Sequence, residues 1–226
     1  MIKLTNHPNV TTLVTNFMRT LFAKKQLICI SLFLFSTVIP QVFAQSNTTT
    51  VRNAPVSAKT KAENFPKQIQ VEGVKLGLNG LGTRYKAIFK VYDMGLYTTT
   101  KATTLQDVIA APGPKKLHFV ALRELPGTDL GVLFLRGMRE NSSPELNTKY
   151  AASANRLVEI FSGKSKIMPD ENFYIEFVPG KGTTFYIMDK SQGAAVGDAE
   201  FFAMVLRIWL GPVPADYKLK DALLGQ

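Results

Sequence analysis

Few side chains in this sequence have the type and placement for chemistry, and Arg84 and Tyr92 come first. They stand eight positions apart in what reads as one strand, and side chains in a strand alternate between faces with period two, so both can face one cleft. A guanidinium presents a rigid fork of donors suited to a carboxylate or an enolate, and a phenol donates one further hydrogen bond. Arg84 is equally explained as part of a wet sheet face shared with Lys86 and Lys90. Arg136 and Arg139, three apart in a helical stretch, and Arg156 fit either anion capture or a solvated helix face.

The residues that are missing narrow the chemistry further. Residues 45–226 contain one histidine, His118, and no cysteine. His118 lies between Leu117 and Phe119 in a strand and reads as a structural or surface histidine rather than a base. The common zinc arrangements have no ligands here, and Asp170-Glu171 near a turn reads as solvated loop charge, so neither metal nor cofactor is expected. No Gly-x-Ser-x-Gly elbow occurs, which disfavours serine hydrolysis. Gly180-Lys181-Gly182-Thr183 lacks the spacing of a phosphate loop and reads as a hairpin turn. Asn79-Gly80-Leu81-Gly82-Thr83 is no dinucleotide fingerprint, because it joins two strands.

The elements that must position Arg84 and Tyr92 follow from periodicity. Alternation from Ile69 resumes through Leu76 and Leu78, and the glycines after Asn79 predict a turn at 79–82. A second strand then carries Tyr85, Ala87, Phe89 and Val91 on one side and Arg84, Lys86, Ile88, Lys90 and Tyr92 on the other. A short helix over 105–110 precedes a strand over 116–122. Helices are predicted from Asp129 through Arg136 and from Pro144 onward, the latter placing Ala154, Leu157, Val158 and Phe161 on one apolar face. A hairpin over 173–188 and helices over 198–210 and 217–224 close the chain. Phe201, Phe202, Val205, Leu206 and Trp209 form a stripe that reads as core. Strands first and helices in the middle and at the end predict an α+β layer architecture.

Ahead of the fold, Lys24 and Lys25 precede an apolar run of 13 residues, 27–39, and then Pro40 and Val42-Phe43-Ala44. That order predicts a secretory signal over 1–44, with Met18 as an alternative start. The run is too short to span roughly 30 Å of hydrocarbon, so cleavage after Ala44 and an exported protein, periplasmic or secreted, are expected, with no stable transmembrane segment after processing. Cys29, the only cysteine, falls inside that run. Residues 45–67 are rich in Ser, Thr, Asn, Ala and Lys and read as a flexible linker. Removing 1–44 takes away Lys3, Arg19, Lys24 and Lys25 and no acid, lowering the net charge from +10 to +6. So modest an excess points away from nucleic acid and toward weak attraction to an anionic membrane.

Two motifs carry a resemblance. Leu78-Asn79-Gly80-Leu81-Gly82-Thr83-Arg84 followed by Lys90-Val91-Tyr92-Asp93-Met94-Gly95-Leu96-Tyr97 resembles the opening strands of chalcone isomerases, and Ser143-Pro144-Glu145 and Gly197-Asp198-Ala199-Glu200 match later elements in order. The likeness covers roughly residues 68–225 of a domain expected over 68–226 and looks closest to the bacterial chalcone-isomerase-like proteins. It implies an open-faced β-sandwich with an antiparallel sheet packed against helices around a cleft. It places the family's catalytic arginine at Arg84. The family's threonine falls on Tyr92, its tyrosine on Leu146, its asparagine on Ser153 and its late polar residue on Ile208. Tyr150 is the substitute for the missing tyrosine, one helical turn away. These departures count against stereospecific flavanone formation. They suit the family's noncatalytic fatty-acid-binding members, in which an arginine and a tyrosine hold the carboxylate. The resulting expectation is binding of a small amphipathic ligand with an anionic head by Arg84, Tyr92 and Tyr150. The alternatives are an isomerase or lyase acting on an enone or phenolic substrate, and a protein-interaction module with a filled cleft.

Overall fold

The computed structural model describes residues 61–226. The expected leader over 1–44 and the linker up to residue 60 lie outside the described residues. The last part of that linker is packed rather than free: α1 (Lys61–Asn64) leads into Phe65, which is only 3% exposed.

A seven-stranded antiparallel sheet runs in the order β1 (Gln68–Val71), β2 (Val74–Lys86), β3 (Phe89–Thr98), β4 (Lys115–Ala121), β7 (Asn172–Val178), β8 (Gly182–Ile187), β9 (Lys190–Ser191). A two-stranded pair, β5 (Leu125–Pro126) with β6 (Lys166–Ile167), stands apart. The helices are α2 (Leu105–Ala110), α3 (Gly127–Glu140), α4 (Pro144–Lys149), α5 (Ala151–Ser162), α6 (Ala199–Leu210) and α7 (Tyr217–Leu224). The expected α+β fold is therefore present, as a curled, open antiparallel sheet against helices. Among the described residues no helix is long and apolar enough to cross a membrane.

Alternation decides which face meets the helices. Leu117, Phe119 and Ala121 of β4 and Phe173, Ile175 and Phe177 of β7 are buried against Phe134, Phe161, Phe201 and Trp209, while Lys116, His118, Tyr174 and Glu176 occupy the other face. The outer face has its own small core of Val71, Leu76 and Tyr97. Phe65 docks beside it, its ring 5.0 Å from that of His118, and Tyr97 donates to the Pro66 carbonyl at 3.1 Å. Side-chain caps set the helix starts: Thr104 and Asp107 form a capping box on α2, and Asp198 and Asp216 accept from the first turns of α6 and α7.

Two expectations about local structure are corrected. The chain does not turn at 79–82; β2 runs straight through, with a register shift between Leu78 and Gly80. The turns fall instead at Glu72-Gly73, both with positive φ (49° and 76°) as a two-residue hairpin requires, and at Ala87-Ile88. The glycines of β2 answer to packing. A Cβ on Gly80 would lie 2.3 Å from the carbonyl oxygens of Ala222 and Leu223, and one on Gly82 would lie 2.8 Å from Leu219. They let α7 lie directly on the strand. Asn79, buried beside them, binds the Ala102 backbone and the Leu223 carbonyl. The helix expected from Pro144 onward is also broken, because Tyr150 leaves helical geometry (φ −104°, ψ 19°) between α4 and α5.

Candidate functional site

Arg84 and Tyr92 do share a face, for a different reason from the one their spacing suggests. The turn at Ala87-Ile88 separates them onto neighbouring strands, where they are direct cross-strand partners. The Arg84 guanidinium carbon lies 5.7 Å from the centre of the Tyr92 ring. Arg84 Nε is buried without a hydrogen-bond partner, and among the described residues no carboxylate forms an ion pair with this arginine. Asp216 is near enough to influence Tyr92, but its oxygens are committed to the backbone N–H groups of Tyr85 at 2.9 Å and Leu219 at 3.2 Å.

Tyr92 is 2% exposed, and its hydroxyl accepts a hydrogen bond from Trp209 Nε1 at 2.7 Å. Burial pushes the phenol up to about 12, against the opposing pull of Arg84 and the Trp209 bond. It is thus a neutral donor at physiological pH, and no described residue accepts its proton. Together the pair offers an unpaired cation and a phenolic O–H.

A pocket of about 260 Å³ opens on one side of this pair, walled by Leu130, Leu133 and Phe134 of α3, Ile208 of α6, and Pro214 and Ala215. The exposed ion pair of Arg136 Nε with Glu140 Oε1, 2.7 Å long, sits at its rim. A second pocket of about 260 Å³ shares Arg84, Leu130 and Leu133 and continues past Val91 and Leu125 to Lys86 and Arg123. Behind both, the space between sheet and helices is filled by rings. Phe119 stacks on Phe173 at 4.5 Å, and Trp209 lies 5.1 Å from Phe119 and 5.2 Å from Phe134. The site is therefore shallow, with an apolar wall and a cation at its floor.

Tyr150 is not part of it. Its hydroxyl lies 2.7 Å from Asp198 Oδ1 and 2.8 Å from Glu200 Oε2, and burial and these two carboxylates push the phenol up to about 12. Leu146 and Ser153 do not line the pocket either, whereas Ile208 does. Arg139 is exposed, and Arg156 pairs with Glu159 at 3.2 Å, so both follow the solvated-face reading. His118 faces away from the cleft. Trp209 is visible in the sequence only as one member of the core stripe; its role as donor to Tyr92 depends on the tertiary packing that brings α6 and β3 into one core, which no local pattern encodes. Among the described residues no group of His, Cys, Asp and Glu could hold a metal ion.

Residues 57–225 match the family model described as chalcone isomerase-like. The chain belongs to the chalcone isomerase-like family. Among solved structures, the crystal structure of an Arabidopsis thaliana fatty-acid binding protein is similar in fold, with a TM-score of 0.54 and 15% identity over 71% of this chain and 90% of that one. No curated protein matches the chain. A fold of this family, with an apolar-walled pocket between sheet and helix, is consistent with binding of a small hydrophobic ligand.

Proposed function

We propose that this chalcone-isomerase-like protein is a noncatalytic binder of a small amphipathic ligand with an anionic head, of which a fatty acid of limited length is the model. The observation that carries the reading is Arg84: a guanidinium at the floor of an apolar-walled pocket, with a buried Nε and no ion-pair partner among the described residues. A carboxylate from a ligand would complete it, and Tyr92 supplies a second donor to the same head group. The name of the Arabidopsis protein gives fatty acid as the ligand of that protein, and the class is carried over here on the strength of Arg84 and Tyr92. The two spaces of about 260 Å³ flanking Arg84 lie just below the usual range of roughly 300–1,000 Å³ for drug-sized ligands, which favours a short ligand or one whose tail lies partly in the mouth.

Native mass spectrometry of protein from its own organism, followed by extraction of bound molecules, tests the reading. A carboxylated amphiphile is expected, with occupancy falling about tenfold or more in Arg84→Ala, since a charge-assisted bond to a buried head group is lost. Equal occupancy in both proteins sinks the role of Arg84. Conversion of an enone by the wild type, lost in Arg84→Ala, would move the same arginine to the isomerase reading.

We also propose that the protein is an exported member of the bacterial type, on the order of charge, apolar run and small residues before Ala44. Intact mass of the mature protein is expected to begin at Gln45; retention of residues 27–39 refutes export by cleavage.

A further inference from the structure

The most exposed of the large apolar side chains lies on a hairpin tip next to the second pocket. At the tip of the β2–β3 hairpin Ile88 is 83% exposed and Phe89 59%, with Tyr85 at 41% behind them. Isolated exposed apolar residues are ordinary, but the adjacent pair Ile88 and Phe89 at a hairpin turn points to an interaction site. Cations surround this one. Lys86 and Lys90 flank the turn, both exposed, and the Arg123 guanidinium carbon lies 5.8 Å from the centre of the Phe89 ring. The acids nearby are Glu124, paired with Lys166 at 3.0 Å, Asp129 on the first turn of α3, and Asp216, whose carboxylate accepts from the backbone N–H groups of Tyr85 and Leu219. The second pocket runs from Lys86 and Arg123 directly to Arg84.

We propose that this hairpin tip docks on an anionic lipid surface, with Ile88 and Phe89 entering the head-group layer and Lys86, Lys90 and Arg123 holding acidic head groups. A lipid surface fits better than a protein partner. The apolar part is a narrow wedge of two side chains rather than the broad face, on the order of 1,000 Å², that a stable protein interface needs. Aromatic and aliphatic tips flanked by lysine and arginine are also the combination that partitions into bilayer interfaces. Docking in this way turns the mouth of the Arg84 pocket toward the membrane, so that an amphiphile can pass between them; that consequence rests on the ligand reading above, whereas docking itself does not.

The test places an environment-sensitive fluorophore at the tip of the full chain, as Ile88→Cys in a Cys29→Ser background, so that contact through any other part of the chain does not register. A control label at Lys181→Cys sits at the opposite end of the sheet, since β4 ends and β7 begins beside Tyr92 while residues 179–181 join the far ends of β7 and β8. With vesicles of phosphatidylglycerol and phosphatidylcholine the tip label is expected to shift to the blue and the control label to stay unchanged. Phosphatidylcholine alone should give little shift. Lys86→Glu with Lys90→Glu should weaken the apparent vesicle affinity at least tenfold, the loss of two cations near an anionic surface counting about fivefold each. No shift at the tip, an equal shift at the control position, or a shift indifferent to the charge reversals overturns the proposal. So does a shift without vesicles that grows with protein concentration, which would make a second copy of this chain the occupant. None of these readouts involves Arg84, so a failure here leaves the ligand experiment standing, and the reverse.

Discussion

At the scale of single residues, Arg84 combines two properties that usually exclude each other: partial burial and the lack of an ion-pair partner among the described residues. An unsatisfied buried donor costs about 1–3 kcal/mol, and the contact with the Tyr92 ring recovers about 0.5–1 kcal/mol of that. In a protein selected only for stability such a group would be replaced by an apolar one. Arg84→Met is accordingly expected to raise the stability of the ligand-free protein by about 1 kcal/mol, read from the urea midpoint, while abolishing capture of an anionic ligand. A fall in stability would show instead that Arg84 serves the fold. The residue itself was legible from sequence, both as a donor fork and through the motif ending at Thr83-Arg84. Its partnership with Tyr92 was legible too, but through a mistaken premise: parity within one strand gave the same shared face that cross-strand register actually produces. Tyr150 lies apart from Arg84 and Tyr92, its hydroxyl engaged by Asp198 and Glu200, a placement that a helical wheel drawn through an unbroken helix does not show, because the chain leaves helical geometry at that residue.

At the scale of elements, what sequence could not separate was a glycine needed for a turn from one needed for a neighbour. Gly80 and Gly82 punctuate β2 like a loop, yet neither has the positive φ of a turn glycine; their requirement comes from α7, more than a hundred residues further along the chain. The docking of Phe65 was hidden for the same reason, since the polar stretch before it carries no periodic signal. That docking has a consequence for acid stability. With Phe65 on one side and Tyr174 on the other, at 5.0 Å and 6.0 Å, His118 is held neutral: burial and the nearby Lys116 lower it from 6.5 to about 4, with Asp189 opposing. The unfolded chain therefore takes up this proton first as pH falls. The neutral imidazole's contribution is whole above about pH 6.5 and is lost progressively as pH drops toward 4. Between pH 7 and 4.5 the wild type is expected to lose about 2 kcal/mol more than His118→Gln, measured by denaturant unfolding at each pH. Identical losses would mean that the ring of Phe65 does not shield His118 in solution.

At the scale of the whole molecule, the α+β class and the order of its helices follow from segment periods and are found as expected. The shape of the cleft does not follow from them. Whether space remains between sheet and helices depends on how Phe119, Phe134, Phe161, Phe173 and Trp209, drawn from five different elements, interlock. Each reads in sequence merely as a buried ring in its own stripe. Close packing of such rings from several elements fills the interior and leaves open volume only at the margins, part of it beside Arg84, where the ligand reading and the hairpin tip meet.

Trp209 adds something to that arrangement. It is the single tryptophan of the chain, 1% exposed, and its indole N–H is bonded to the hydroxyl that forms part of the pocket floor. Light absorbed at the red edge of the protein's spectrum therefore enters at one place only, one hydrogen bond from the site. Any molecule that accepts the Tyr92 proton alters the electron density at the oxygen facing the indole. The protein thus carries its own optical gauge of occupancy, in which emission reports on the floor of the pocket without a dye or a label.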